Sequence, residues 1–252
     1  MKTCKLKAIL LLAIALLALP TFGQGLKAFK LKNGLSVYIW EDNTKSDVFG
    51  IVAVRAGSIN EPAEYTGLAH YLEHVMFKGT DQIGALDWSK EKPIYDQIIA
   101  KYDEMATTTD PVQKAAIGKE INDLTVEAGK VSVSNEFSDL MESIGGKNLN
   151  AGTSYDLTYY HNSFPAYQIN KWLEISSQRF IHPVFRTFQS ELENVYEEYN
   201  MYQDNPGNQQ SNFLRSKAFE GHPYARDIIG LPEHLKNPHL SKLIDFYNEW
   251  YV

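Results

Sequence analysis

The sequence predicts an α+β domain, a mostly antiparallel sheet with helices packed on one face. Two pairs of strand-like runs, within residues 29–40 and 148–162, supply the sheet. Segments with apolar residues at helical spacing supply the helices. With 252 residues, 44% of them hydrophobic, the chain is ample for one packed core.

The elements follow in order. Lys2, Lys5 and Lys7 precede an unbroken run of twelve apolar residues, Ala8 to Leu19, and then Pro20. That run is too short to span a bilayer, for which about 20 residues are needed. It reads as a signal peptide over residues 1–23, cleaved after Gly23, where small residues stand at the −3 and −1 positions. Cleavage removes three lysines, takes the formal charge from −7 to −10 and discards Cys4, the only cysteine. The mature chain, residues 24–252, then has no disulfide and no stable membrane span, and its address is a bacterial periplasm or the exterior. Next, Phe29–Lys32, Asn33-Gly34 and Leu35–Trp40 form a hairpin signal, Asn-Gly favouring a tight type I′ turn. Val48–Val54 reads as a third strand and about Thr66–Phe77 as a helix.

Between about residues 88 and 133, Ile94, Tyr95, Ile98, Ile99, Tyr102 and Met105 recur at helical spacing. Asp110-Pro111 then restarts a helix, with Asp110 as N-cap and Pro111 at the first helical position, through Ile117, Ile121 and Leu124. The two read as a helical hairpin packed on the domain. Ser134 caps a short helix that Gly145-Gly146 ends. Asn148–Ser154 and Leu157–Asn162 are strands. A helix over Pro165–Phe180 presents Ile169, Trp172, Leu173 and Ile175 as its core face. An acidic helix around Glu191–Glu198 is interrupted at Asn205-Pro206-Gly207, a further helix covers about Gln210–Phe219, and the last helix runs from Leu240 to Trp250. There is no internal repeat or low-complexity segment. The acidic balance and the lack of a basic patch argue against nucleic acid as a partner.

The most informative segment is His70-Tyr71-Leu72-Glu73-His74. On a helix, positions i and i+4 stack one turn apart on one face, so His70 and His74 can aim ring nitrogens at one Zn²⁺. Glu73 borders the same face. Two nitrogen ligands, an open coordination position and a neighbouring carboxylate base are the parts of a zinc hydrolase, in the inverted His-x-x-Glu-His order. A tetrahedral site is then short of one protein ligand. The acidic helix offers Glu191, Glu193, Glu197 and Glu198, with Glu191, Val195 and Glu198 sharing one face. Ligand type alone leaves Co²⁺ or Mn²⁺ open as well.

The stretch Arg55–Pro62, followed by Thr66–Thr80 around the pentad, closely resembles the M16 metallopeptidases, the pitrilysin, insulysin and mitochondrial processing peptidase relatives. Lys32–Leu35, Asn150–Ser154 with Thr158-Tyr159-Tyr160, and Glu191–Glu198 resemble further family pieces in the expected order. The resemblance implies a metallohydrolase half-domain of the kind shared by LuxS and mitochondrial processing peptidase, the N-terminal catalytic half. It implies Zn²⁺ on His70, His74 and Glu198, with Glu191 as the acid supporting the site and Glu73 as general base on a zinc-bound water. Asn150 and Ala151 fall on the edge strand that binds an extended peptide substrate. Gly152 departs from the aromatic residue often found there.

His74 and Glu198 are 124 positions apart, longer than the family usually shows, so residues 88–133 read as an insertion. The chain also stops where the family would continue. A second M16 domain or partner chain is therefore expected to complete the chamber, and the isolated segment is expected to lack robust activity. Two other readings stand beside the endopeptidase. One is a non-catalytic subunit or scaffold, which the intact pentad disfavours. The other is a small-molecule hydrolase, which the edge-strand match disfavours. His161, His182, His222, His234 and His239 receive no functional role.

Overall fold

A computed structural model describes residues 25–237 and 239–252. The expected signal segment, its cleavage point and Cys4 lie outside the described residues. The chain divides after Ser46 into two compact units.

The first unit holds an antiparallel hairpin of β1 (Leu26–Lys30) and β2 (Ser36–Trp40), with Lys30 opposite Ser36. The tight type I′ turn does not form. That turn needs positive φ at both central residues, and Gly34 has φ 91° whereas Asn33 is not among the positive-φ residues. Asn33 instead accepts a hydrogen bond from the Leu35 N–H through its own side chain, at 3.2 Å. A longer connection results, closed by Gly34 N–H to Leu31 C=O at 3.0 Å and Leu31 N–H to Leu35 C=O at 2.8 Å.

The second unit is built on an antiparallel sheet of β3 (Asp47–Val54), β4 (Lys147–Thr153) and β5 (Thr158–Pro165), in the order β3-β5-β4. Burial alternates along β5, with Thr158, Tyr160, Asn162 and Phe164 facing inward. Helices pack on that face. α1 (Leu68–Val75) is the most enclosed, burying Leu68, Ala69, Tyr71, Leu72 and Val75. Around it close α2 (Trp88–Thr107), α3 (Pro111–Ala128), α6 (Phe188–Gln203) and α9 (Leu240–Trp250). Ile98, Tyr102, Ile117 and Ile121 belong to that same core, so the α2–α3 hairpin is part of the interior and not an appendage. Asp110 accepts from the Val112 N–H and Pro111 opens α3, as the sequence predicts.

A smaller cluster lies between α4 (Glu136–Ser143), β5 and α5 (Ile169–Arg179), where Phe164 stacks on Trp172 at 4.9 Å and the indole N–H reaches Asn162 Oδ1 at 2.7 Å. Three local features differ from what the sequence predicts. Asn135, with φ 63° and no side-chain bond, stands at the N-cap of α4 in place of Ser134. α5 buries Trp172, Ile175, Ser176 and Arg179, while Ile169 and Leu173 are exposed. The reason is Arg179, whose guanidinium lies 4.0–4.8 Å from the rings of Phe137, Phe77 and Tyr160 and turns the helix onto that face. α7 (Pro206–Ala218) starts four residues earlier than expected, because Asn205 accepts from the Gly207 N–H at 2.9 Å and Pro206 takes the first helical position. α8 (Pro232–Leu235) and short 3₁₀ turns at Ser58–Asn60, Ala166–Gln168 and Pro223–Ala225 complete the unit.

One largely enclosed side chain, paired with the buried Glu91, fixes how α6 enters the core. Arg186 uses every guanidinium N–H: Nε and Nη2 on Glu91 at 2.5 and 2.9 Å, Nη2 also on Thr80 C=O, and Nη1 on the carbonyls of Lys78 and Ile83. It therefore joins the loop after α1, the first turn of α2 and the lead-in to α6. No helix among the described residues is long and apolar enough to cross a membrane.

Candidate metal centre

α1 has glycine at its N-cap, so no side chain there can cap it. Glu61 does so from six residues upstream. Its buried carboxylate accepts from the N–H of Gly67 at 3.0 Å and of Ala69 at 2.8 Å. Carboxyl oxygens at a helix N-terminus satisfy amides that have no partner within the helix. Burial nevertheless pushes the Glu61 carboxyl up to about 8, against those two bonds and the nearby Arg226. Gly67 itself has φ 91°, and a Cβ there would meet the Ile229 C=O at 2.7 Å. Thr66 adds a third anchor: its hydroxyl accepts from the Leu231 N–H at 2.9 Å and lies 2.8 Å from His234 Nδ1.

With α1 so fixed, His70 and His74 project from one face, their rings 4.8 Å apart and nearly perpendicular. α6 crosses beside them. Val195 and Glu191 are buried, and Glu198 reaches over both imidazoles. Glu198 Oε2 lies 3.6 Å from His70 Nε2 and 3.5 Å from His74 Nε2. Ligand atoms about 2.0–2.1 Å from a tetrahedral zinc stand about 3.3–3.4 Å from each other. The three side chains thus fit a single small cation, and among the described residues they form the one such cluster. Glu193 and Glu197 point to solvent.

Glu191 Oε2 lies 3.6 Å from His74 Nδ1, and its Oε1 is paired with Lys78 Nζ at 2.7 Å. Burial alone would raise the Glu191 carboxyl, but His74 and Lys78 outweigh it and hold it at about 2. Burial likewise opposes the His74 cation, yet hydrogen bonds to Glu191 and Glu198 and the charge of Glu73 bring it to about 9. His70 moves the other way, to about 4, through burial and then the charge of His74. The hydrogen bond from His74 lowers Glu198. In the metal-free protein one imidazole is therefore neutral and the other carries a proton that a cation would displace.

Glu73 accepts a hydrogen bond from the Thr153 hydroxyl at 2.6 Å, and burial raises its carboxyl above the usual range. Thr153 ends β4. All seven residues singled out from the sequence (His70, Glu73, His74, Asn150, Ala151, Glu191 and Glu198) border one open cleft of about 630 Å³. β4 forms one wall and is an edge strand of its sheet. Gly152 is directly opposite Tyr159, and a Cβ on it would sit 2.6 Å from the Tyr159 hydroxyl, so the tyrosine ring already fills that space.

Sequence reasoning missed Glu61, Lys78 and Thr153, and also Arg215 and Asp227, which pair at 2.7 Å on the cleft wall. Lys78 stands four residues after His74, and that helical spacing could have flagged it. Thr153 stands two after Ala151 on a strand, which places both on one face. Nothing local marks Glu61 as the cap of a helix that starts seven residues later. Of the remaining histidines, His234 anchors Thr66, and none joins the cluster.

Residues 37–91 and 124–231, well over half of the chain, match the insulinase family, peptidase family M16. The matched segments leave out residues 92–123, most of the α2–α3 hairpin. The chain is 26% identical over 246 residues to the insulin-degrading enzyme homolog of Dictyostelium discoideum, covering 94% of this chain and 20% of that protein. It is 23% identical over 229 residues to YmxG of Bacillus subtilis, described as an uncharacterized zinc protease, covering 90% and 44%. Among solved structures, a protease from Helicobacter pylori matches with TM-score 0.65 at 22% identity, over 90% of this chain and 43% of that one. The first half of the periplasmic protease PqqL from Escherichia coli matches with TM-score 0.64 at 22% identity, over 90% and 40%. The chain thus spans less than half the length of each of these relatives.

Proposed function

The chain belongs to the insulinase-like peptidase family M16, and from that premise we propose that it is the zinc-dependent catalytic half of an endopeptidase acting on extended peptides. The observation that carries the reading is the convergence of His70 Nε2, His74 Nε2 and Glu198 Oε2 at 3.5–3.6 Å, with Glu73 on the next position of the same helix. A Zn²⁺ on those three groups would act as a Lewis acid that lowers the pKa of a water toward about 7.

The chain's own residues supply the rest. Glu191 holds His74 from the side away from Glu198 and is itself held by Lys78, so the imidazole keeps its orientation. Glu73 takes a proton from the attacking water and returns it to the leaving amine as the peptide bond breaks. An extended peptide adds to the free edge of β4 at Asn150 and Ala151, bonded through its main chain, which favours flexible segments over folded ones. The length of the relatives supports a second domain or partner chain facing the cleft. The likeness to a periplasmic protease supports an exported enzyme, as the basic and apolar first 23 residues do.

The test is cleavage of a quenched fluorogenic peptide by the chain together with its second domain or partner chain, with and without zinc and 1,10-phenanthroline, beside Glu73→Gln. Chelator-sensitive cleavage lost in Glu73→Gln supports the reading. Full activity in Glu73→Gln would sink it. A folded protein that takes up no zinc would favour a non-catalytic subunit.

A further inference from the structure

We infer that Thr153 is a positioning residue that aligns the Glu73 carboxylate for proton transfer and ties its alignment to the strand that receives the substrate. The inference rests on Glu73 being the proton carrier. Glu73 projects from α1 on three rotatable bonds, and among the described residues Thr153 is its hydrogen-bond partner, donating to Oε2 at 2.6 Å. Bonds this short are typical of a hydroxyl donating to a carboxylate and are stronger than neutral ones. With Oε2 held, Oε1 is left to meet the reacting water.

Thr153 is well placed to hold still. Its β-branched side chain is stiff at χ1. It is paired directly with Thr158, which is fully buried and donates to the Ala56 C=O at 2.9 Å. The two threonine hydroxyl oxygens are 3.5 Å apart. Thr153 also shares β4 with Asn150 and Ala151, and it points to the α1 side of the sheet as Ala151 does. A peptide that adds to β4 at Asn150 and Ala151 therefore orders the strand whose hydroxyl orders the base. Strand and base become one unit, and the proton carrier is best aligned when the strand is occupied.

The variants are Thr153→Val, which keeps the shape and strand preference but removes the hydroxyl, and Thr153→Ser, which keeps the hydroxyl. The readout is the affinity of a peptidyl hydroxamate for the zinc-loaded full chain by calorimetry. A hydroxamic acid gives up a proton to the adjacent carboxylate as it binds, so its affinity reports that carboxylate without turnover. Thr153→Val should weaken binding roughly tenfold to a hundredfold with zinc content unchanged. Thr153→Ser should stay close to wild type. On a Glu73→Ala background, Thr153→Val should have no further effect, because its action runs through Glu73. Wherever cleavage is measured, kcat should fall and KM should not.

The outcomes separate. If Glu73→Ala leaves hydroxamate affinity unchanged, the base assignment is wrong and this inference falls with it. If Glu73→Ala weakens binding but Thr153→Val matches wild type, or its effect persists without Glu73, this inference alone is overturned. A wild-type chain that binds neither zinc nor hydroxamate overturns both.

Discussion

Replacing Arg186 with methionine should cost the second unit about 3–5 kcal/mol, the usual penalty for removing one partner of a buried ion pair. The magnitude follows from what is left behind. Glu91 is 1% exposed and would keep a carboxylate with no cation, and the carbonyls of Lys78 and Thr80 would lose their guanidinium donors. Against a total stability of about 5–15 kcal/mol, that is a large fraction. Removing both charges in Glu91→Leu/Arg186→Met takes away the stranded carboxylate and leaves only the carbonyl deficit, about 1–3 kcal/mol. The double variant should therefore be more stable than Arg186→Met. Urea unfolding of the metal-free protein measures each, with the slope compared to confirm that the native state is intact. A double variant equal to or worse than the single would refute the stranded-charge argument and leave lost shape as the cause.

Three further outcomes follow from the site. Because Glu61 sits at about 8 when folded, above its ordinary 4.5, the stability it lends through its protonated form is complete below about pH 4.5 and is lost as pH rises through 8. Wild type should then lose ground to Glu61→Gln between pH 5 and pH 8 in denaturant unfolding; a wild type that gains ground would show that the helix N-terminus holds Glu61 ionised. Gly67→Ala should destabilise by about 1–3 kcal/mol, since φ 91° and the Ile229 carbonyl both oppose a Cβ; an unchanged urea midpoint would contradict this. Zinc binding at pH 7.5 should release about one proton, from His74 at about 9 and not from His70 at about 4, as seen by calorimetry in buffers of different ionisation enthalpy. Release near zero would contradict those protonation states.

What could be read in advance was what the sequence encodes over short distances. The pentad announces itself because two histidines one helical turn apart need only a local helix to converge. Asp110-Pro111 marks the start of α3, and the last helix spans Leu240–Trp250 as expected, since caps and periodicity are also local. The choice of Glu198 over Glu193 and Glu197 drew on a family pattern; in the fold Val195 points into the core and so turns Glu198 toward both imidazoles. What failed depended on partners far away in the chain. Ile169 and Leu173 are apolar but exposed, because α5 is turned by Arg179 against rings from α1's end, α4 and β5. The cap of α1 is Glu61, Thr153 reaches Glu73 across 80 positions, and Arg186 meets Glu91 across 95. No periodicity over a dozen residues reports such pairings.

The proposed site depends most directly on whether His70, His74 and Glu198 hold one metal ion. Zinc content and affinity should be measured for the wild-type chain beside Glu198→Gln and the exposed control Glu197→Gln. The expected result is about one zinc per chain in wild type and Glu197→Gln, with affinity strongly reduced in Glu198→Gln. Equal zinc binding in Glu198→Gln and wild type would contradict it and move the third ligand elsewhere.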